Sequence, residues 1–313
     1  MGNCLVTKLK GISNNPELLR LGEMRIKIKK VDNPTDHTQG FSIIVTKPIT
    51  LEIVGEGYFT DRTLSENKGK TLTLKINITN SIWVSNNDVT IAILDKYSLK
   101  NLFCYYDGEA GGVYSENISI DISDLANSVN MSIIYLPNAQ AYGDISALKS
   151  LSKLSDINLS NTQVYGDISA LKSLTNLTAF TLGGKKSNLI GDLSSLSDLN
   201  KLKECFIRYS TLSGDLAKMP ANLSFISLEN NSNTILTWST RQSSSKIIAI
   251  AGYPFINNID KMLQDQAQCQ VGFNSGSQSW YKAINVAGNR TSESDAAVQT
   301  LQSKGYTISV AHA

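Results

Sequence analysis

The sequence predicts a mainly β chain in three parts: a small N-terminal β-sandwich or barrel over 1–95, a repeat solenoid over 96–245, and β/α-type terminal repeats with a cap over 246–313. Three observations predict it. The phrase Gly143-Asp144-Ile145-Ser146-Ala147-Leu148-Lys149-Ser150-Leu151 returns letter for letter as Gly166 to Leu174, 23 residues on. Before it, short runs of alternating polar and apolar residues are separated by Gly, Asn and Asp. After it, strand-like runs alternate with helix-like ones.

The N-terminal part opens with a candidate strand, Cys4 to Leu9, and a short turn or helical piece at Asn15-Pro16-Glu17-Leu18-Leu19, where Pro16 suits a first helical position. Alternating runs follow at Met24 to Lys29, Phe41 to Val45, Ile49 to Val54, Thr71 to Ile78 and Val89 to Leu94. Period-2 alternation marks a strand with one buried face. Several such strands with turn residues between them read as a small sandwich or barrel. Arg25, Lys27 and Lys29 share one face, read as a solvated edge blunted by charge.

The solenoid is read from its period. Gly191-Asp192-Leu193 follows Gly166 by 25 residues, and Gly214-Asp215-Leu216 follows by 23 more. Asp121 stands 23 before Asp144. A unit of this length cannot bury its apolar face alone and must stack on its neighbours. Each rung opens with an apolar spacing such as Leu154-x-x-Ile157-x-Leu159, a short strand. Ile168, Leu171 and Leu174 then recur every third residue, which suits a tight 3₁₀ segment. Gly166 marks the bend between the two. The other rungs start at Met131, Leu177, Leu202 and Leu223, with Ile134, Phe180, Cys205 and Ile226 at the next core position and Leu136, Leu182, Ile207 and Leu228 at the third. Leu99-x-x-Leu102-x-Cys104 fits the first rung, and Asp107 to Gly112 is read as an inserted loop before Met131.

This pattern resembles the leucine-rich repeat. It departs from that family at Thr162, where the family usually has Asn, so the asparagine ladder is expected to be broken there. Rung lengths also vary, from 25 residues (Leu177 to Leu202) to 21 (Leu202 to Leu223), which predicts an irregular, slightly twisted solenoid.

Beyond Ser245, Lys246 to Gly252 reads as a strand and turn, Asn258 to Ala267 as a helix, and Tyr281 to Val286 as a strand. Ser292 to Leu301 reads as a second helix with Ser292 and Asp295 as a capping box, stopped by Gly305, before a last strand at Tyr306 to Val310.

Composition narrows the function. The 313 residues carry a net charge of +2 with 18% charged residues, which is no electrostatic footprint for nucleic acid or an anionic membrane. The four cysteines, Cys4, Cys104, Cys205 and Cys269, are far apart in sequence and read as small buried hydrophobes. With only His37 and His312, little material exists for a histidine-based metal or catalytic site. No Walker loop, no Gly-x-Ser-x-Gly and no Cys/His pairing is found, so no catalytic residue, metal or cofactor is assigned. The N-terminus has no apolar core of a secretory signal, and no apolar run is long enough to span a membrane.

Two sets of residues stand out. Gly143, Asp144, Gly166, Asp167, Gly191, Asp192, Gly214 and Asp215 should stack rung upon rung. A carboxylate column can hold cations, or each Asp can cap the tight segment that follows it; one Asp per rung is what capping requires. The second set flanks the core positions of the strands and should face a concave surface: Phe103, Tyr105, Tyr135, Asn158, Glu204, Phe206, Arg208 and Phe225. Exposed aromatics on a rigid strand face are common anchors of a binding site, though they can also merely cover neighbouring rungs.

Both ends of the chain carry a further resemblance. Asn3 to Gly11, Val286-Ala287-Gly288-Asn289-Arg290-Thr291 and Leu301-Gln302-Ser303-Lys304-Gly305-Tyr306 resemble virion proteins of tailed phages of gut Bacteroidales, the crAss-like group among them. The resemblance implies a non-enzymatic virion structural protein (a fibre, spike or collar decoration) assembled in the host cytoplasm. Its N-terminal domain would dock to other virion proteins as a homo-oligomer or on a symmetric partner, and its repeats would meet a host-surface glycan or protein. The alternative is an intracellular bacterial leucine-rich-repeat scaffold that binds a partner protein.

Overall fold

The structure, a computed structural model, describes residues 24–28, 39–46, 49–55, 58–60, 63–65, 72–76, 79–84, 89–105, 118–231, 234–273 and 278–311. The expected pieces at Cys4 to Leu9, Asn15 to Leu19 and Asp107 to Gly112 lie outside these residues.

The five alternating runs of the N-terminal part are strands, β1 (Met24–Ile28), β2 (Gln39–Val45), β3 (Ile49–Gly55), β6 (Leu72–Ile76) and β8 (Val89–Ile93); β4 (Tyr58–Thr60), β5 (Thr63–Ser65) and β7 (Thr79–Val84) were not read from the sequence, and β9 (Leu99–Tyr105) is the strand of the first rung. They pair antiparallel in two series, β6–β3–β8–β1 and β5–β4–β7–β2–β9. Alternation sends Met24 and Ile26 of β1, and Ile91 and Ile93 of β8, wholly out of water, while Lys27 stays exposed.

Each solenoid rung contributes two strands, where the sequence pattern disclosed one. One parallel series runs from β9 through β11 (Ile133–Tyr135), β13 (Asp156–Ser160), β15 (Ala179–Gly183), β17 (Glu204–Ile207), β19 (Phe225–Ser227) and β21 (Ala249–Ala251). The other runs through β10 (Ile118–Asp121), β12 (Gln140–Asp144), β14 (Gln163–Asp167), β16 (Asn188–Asp192), β18 (Ser210–Asp215), β20 (Ile235–Thr237) and β22 (Phe255–Ile256). The period fixes the register of the first series: Ile157 stands beside Phe180, and Leu159 beside Leu182. Short 3₁₀ segments such as Ile145–Leu148 and Leu193–Leu196 lead from β10, β12, β14, β16 and β18 back towards the next rung.

The expected core positions are the core. Leu154, Leu159, Ile168, Leu171, Leu174, Leu177, Leu182, Cys205 and Ile207 are all fully buried. They stack into one continuous apolar column with the buried N-terminal residues. Thr162 is buried too, and its hydroxyl donates to the Leu159 carbonyl of its own rung at 2.7 Å. One residue earlier a single amide pair joins two rungs: Asn161 Nδ2 donates to Asn138 Oδ1 of the preceding rung at 2.8 Å. Further down the rung Asn130, Asn176 and Asn222 each donate an amide N–H to a carbonyl of the preceding rung, those of Tyr97, Ser152 and Asn200.

The antiparallel strands enter the solenoid through both series. β1 pairs antiparallel with β10, and β9 pairs parallel with β11. At the other end α1 (Ile259–Gln268) leads to β23 (Ala283–Ala287), α2 (Asp295–Ser303) and β24 (Thr307–Ala311). β23 pairs with both β21 and β22, so the two series meet on one strand, and β24 adds beside it. The capping box expected at Ser292 and Asp295 does not form. Residues Ser292–Ser294 are a 3₁₀ turn capped by the Thr291 hydroxyl, and α2 starts at Asp295 without a side-chain cap. Asp260 of α1 takes the local polar groups instead, accepting from Thr291 N–H, Thr291 Oγ1 and Ser294 Oγ. Among the described residues, no helix is long and apolar enough to cross a membrane.

Candidate functional site

Two surfaces are built by the repeat. The first is the row of side chains beside the core positions of β9, β11, β13, β15, β17 and β19. Along it, Tyr135 is exposed, and Phe103, Asn158, Glu204, Phe206 and Arg208 are half-buried. The side chain of Tyr105 lies outside the described residues. Phe103 and Tyr135 stand 6.4 Å apart, ring centre to ring centre, as neighbours in adjacent strands. Asn158 turns its Oδ1 back on its own strand, accepting from Ser160 N–H and Ser160 Oγ. Arg208 meets Glu229 of the next rung at 3.1 Å.

Phe225 does not belong to the open row. Only 1% of it reaches solvent, because the 3₁₀ turn Ser279–Lys282 crosses over it. Trp280 and Tyr281 lie 4.9 and 5.0 Å from its ring centre, and Phe206 lies 5.0 Å from it and 6.1 Å from Trp280. Tyr281 donates to Glu204 Oε2 at 2.6 Å, so this carboxylate is also engaged within the chain. Burial, and then the bonded Glu204, push the Tyr281 hydroxyl well above the ordinary tyrosine range. The open end of this row is therefore Phe103, Tyr135 and Asn158, and Trp280 replaces Phe225 as the exposed aromatic at the far end. Sequence reading missed Trp280, which lies more than fifty residues from the strand it covers; its only signal was an aromatic pair, Trp280-Tyr281, and the strand expected from Tyr281 starts at Ala283, after the turn.

The second surface is the Gly-Asp column. Asp144, Asp167 and Asp192 each turn Oδ1 onto the backbone N–H two residues on, at 2.8, 2.8 and 2.7 Å, and Asp215 does the same at 3.0 Å. Asp121 begins the column in the same way. Each carboxylate caps its own 3₁₀ segment through one of its two oxygens, the role that one Asp per rung requires. Gly143, Gly166, Gly191 and Gly214 all have positive φ, between 107° and 136°. Among the described residues, no group of three or more His, Cys, Asp or Glu side chains is placed to hold a metal ion. Cys205 and Cys269 are free and buried, and burial raises both thiols above their ordinary range.

A third feature was not read from the sequence. A cleft of about 520 Å³ opens at the turns between first and second strands, lined in part by Asn138, Asn161, Lys185, Lys186 and Tyr209.

No protein-family model and no curated protein matches the chain. Among solved structures it is similar to internalin C2 (inlC2) from Listeria monocytogenes, at 16% identity and a TM-score of 0.30, over 51% of this chain and 77% of that one. It is also similar to the plant peptide hormone receptor RGFR1 in complex with RGF2 (15% identity, TM-score 0.37) and to PEPR1-AtPEP1 (16%, 0.36). Each of these two matches covers 61% of this chain and 29% of the other. The chain's own period, its parallel register and its buried leucine column describe a solenoid of the leucine-rich-repeat type.

Proposed function

We infer that the chain is a non-enzymatic binding protein whose repeat face meets a partner, and that it serves as a structural component of a tailed-phage virion: a fibre, spike or collar decoration. The observation that carries the binding reading is the strand row itself. Tyr135, 44% exposed, and half-buried Phe103 and Asn158 sit on strands whose core sides are fully buried. Their positions are thus fixed before any partner arrives, which lowers the ordering cost of binding. The virion assignment is supported by the resemblance at the two ends of the sequence.

In this reading residues 1–95 form a β-sandwich that docks to other virion proteins, 96–245 present the repeat face, and 246–313 cap the solenoid. The partner is another virion protein or a host-surface glycan or protein. The test is light scattering on the purified chain, alone and with the purified neck and capsid proteins of the parent phage. Self-association or a stable complex with one of them is the expected result. A strict monomer that binds none of them would overturn the virion assignment and return the chain to the intracellular scaffold class.

A further inference from the structure

The cleft at the strand-to-strand turns is built where the repeat breaks its period. From Leu159 to the start of β14 at Gln163 the chain takes four steps; from Leu182 to the start of β16 at Asn188 it takes six. The surplus is a turn that holds Lys185 and Lys186. Ser187 closes it, donating from N and Oγ to the Gly184 carbonyl and accepting from Gly184 N–H at 2.9 Å. Gly184 seats this turn directly on the preceding rung: a Cβ there would stand 2.6 Å from Asn161 Cα. The next rung is shorter, and Tyr209 fills its turn in the left-handed region at φ 54°. A long turn beside a short one leaves the cleft between them.

Its chemistry is one-sided. Lys185 and Lys186 are exposed, and neither is paired with a carboxylate among the described residues. No Asp or Glu lines the cleft. Asn138, Gln140, Asn161 and Gln163 supply side-chain amides, each with adjacent donors and an acceptor. The Asn161–Asn138 bond uses one donor and one acceptor, leaving Asn138 Nδ2 and Asn161 Oδ1 with no partner among the described residues. Asn138 and Asn161 are both held in the left-handed region, at φ 59° and 56°, so the amides sit on fixed backbone. Apart from Ala139 and the Tyr209 ring the lining is polar, which offers no seat to an apolar peptide side chain.

We propose that this cleft binds an acidic oligosaccharide, its hydroxyls paired with the amide row and its carboxylate or sulfate held by Lys185 and Lys186. Paired amides suit vicinal hydroxyls, two lysines suit an anion, and the volume falls within the range of roughly 300–1,000 Å³ usual for ligand clefts. This does not rest on the virion assignment.

The test is titration calorimetry on the full chain with three probes: tetragalacturonate, a sulfated heparin tetrasaccharide and neutral maltotetraose. At least one acidic probe should bind, weakening as salt rises from about 50 to about 300 mM, and maltotetraose should not. Which acidic probe binds better distinguishes carboxylate from sulfate as the charged group. K185Q/K186Q should weaken that binding about tenfold or more. N161G, whose residue accepts the same φ, should weaken it while the chain stays folded, with only the small drop in melting temperature that loss of the Asn161–Asn138 bond brings. Binding of neither acidic probe, equal binding of maltotetraose, or unchanged affinity in the lysine variant would overturn the proposal. So would equally tight binding of a tetraglutamate peptide, which would reduce the cleft to a patch of charge.

Discussion

Asp144 Oδ1 lies where a side chain on Gly166 would begin: a Cβ built on Gly166 stands 2.6 Å from it. The same holds for Gly143 over Asp121 and for Gly191 over Asp167, at 2.9 and 2.5 Å, and for Gly214 over Asp192. The repeated Gly-Asp phrase is thus one device spread over two rungs. The Asp caps its own 3₁₀ segment, and the Gly of the next rung leaves room for that carboxylate.

Replacing Gly166 with Ala should therefore cost at least about 2 kcal/mol, from the strained φ of +107° and the blocked Asp144 carboxylate together. Asp144→Ala alone should cost about 1 kcal/mol, the loss of one cap. The pair in one chain should cost less than the sum, because removing the carboxylate makes room for the new methyl. Urea unfolding of the three variants checks this; strict additivity would show that the two residues do not meet.

Leu159 lies on a central rung and is wholly buried. Leu159→Ala should cost roughly 2–5 kcal/mol through lost burial and the cavity left behind. A loss under about 1 kcal/mol in denaturant unfolding would mean that the column relaxes around the gap far more than a packed interior does.

The repeat was legible because its chemistry is local and periodic. Each Leu of the spacing turns inward in the same way, so positions such as Leu154, Ile157 and Leu159 could be assigned from spacing alone. The second strand of each rung was not legible. Its β14 segment, Gln163-Val164-Tyr165-Gly166-Asp167, buries only Val164, with Tyr165 nearly half exposed, so no apolar alternation announces it. The cover on Phe225 was hidden for a different reason: it depends on a contact between residues 55 positions apart, Phe225 and Trp280. Gln266 shows the same limit. Nothing in the helix pattern singles it out, yet it is fully buried and bonds both the N–H and the carbonyl of Ile248, at 2.7 and 3.2 Å.

Arg241 is a buried polar anchor near the end of the repeats. Its guanidinium donates to the carbonyls of Met219 and Pro220 at 3.0 and 3.1 Å, and to those of Lys246 and Ala217. Burial lowers its pKa to about 10, which still leaves it charged at neutral pH. Arg241→Ala strands these carbonyls and should cost roughly 3 kcal/mol or more. Arg241→Lys should recover only part of that, since one ammonium cannot span the fork of acceptors. Full recovery in thermal unfolding would reduce the role of Arg241 to charge alone.

Acid should loosen the C-terminal part first. Burial alone would raise the Asp265 carboxyl, but hydrogen bonds from Lys261, Trp238 Nε1 and Arg241 N–H, with the Lys261 charge, outweigh it and hold it below the ordinary range. Asp260 is likewise lowered: burial opposes, and Ser294, Thr291 and the Arg290 charge prevail. A carboxyl depressed in the folded state contributes stability above its unfolded pKa of about 3.9, and loses it as pH falls through the folded value. The melting temperature should hold from neutral pH down to about pH 5 and then fall below about pH 4. Asp265→Asn should melt lower at neutral pH but show a shallower decline in acid. Parallel curves would exclude Asp265 as a source of the acid sensitivity.

The last expectation concerns the start of the solenoid. β1 covers the edge of β10 through Lys27 and Ile28, and β2 covers the edge of β9 from Gly40 to Val45. A chain beginning at Asn86 keeps β9 but removes β1 and β2 together. Two sheet edges are then open at the same end, with unpaired N–H and C=O groups along β9 and β10. The core at that end opens with them, since Leu99, Leu102, Ile118 and Ile120 lie within 1% of full burial. Open edges beside bare apolar surface pair with further copies of the same chain. The shortened chain should therefore dimerise or aggregate at concentrations where the full chain does not, and light scattering on both checks it. Charged residues introduced along β9, for example at Asn101, should suppress that association if edge pairing drives it. A well-behaved monomer from the shortened chain would show that the solenoid closes its own first rung, and that residues 1–85 are a tethered module rather than its cover.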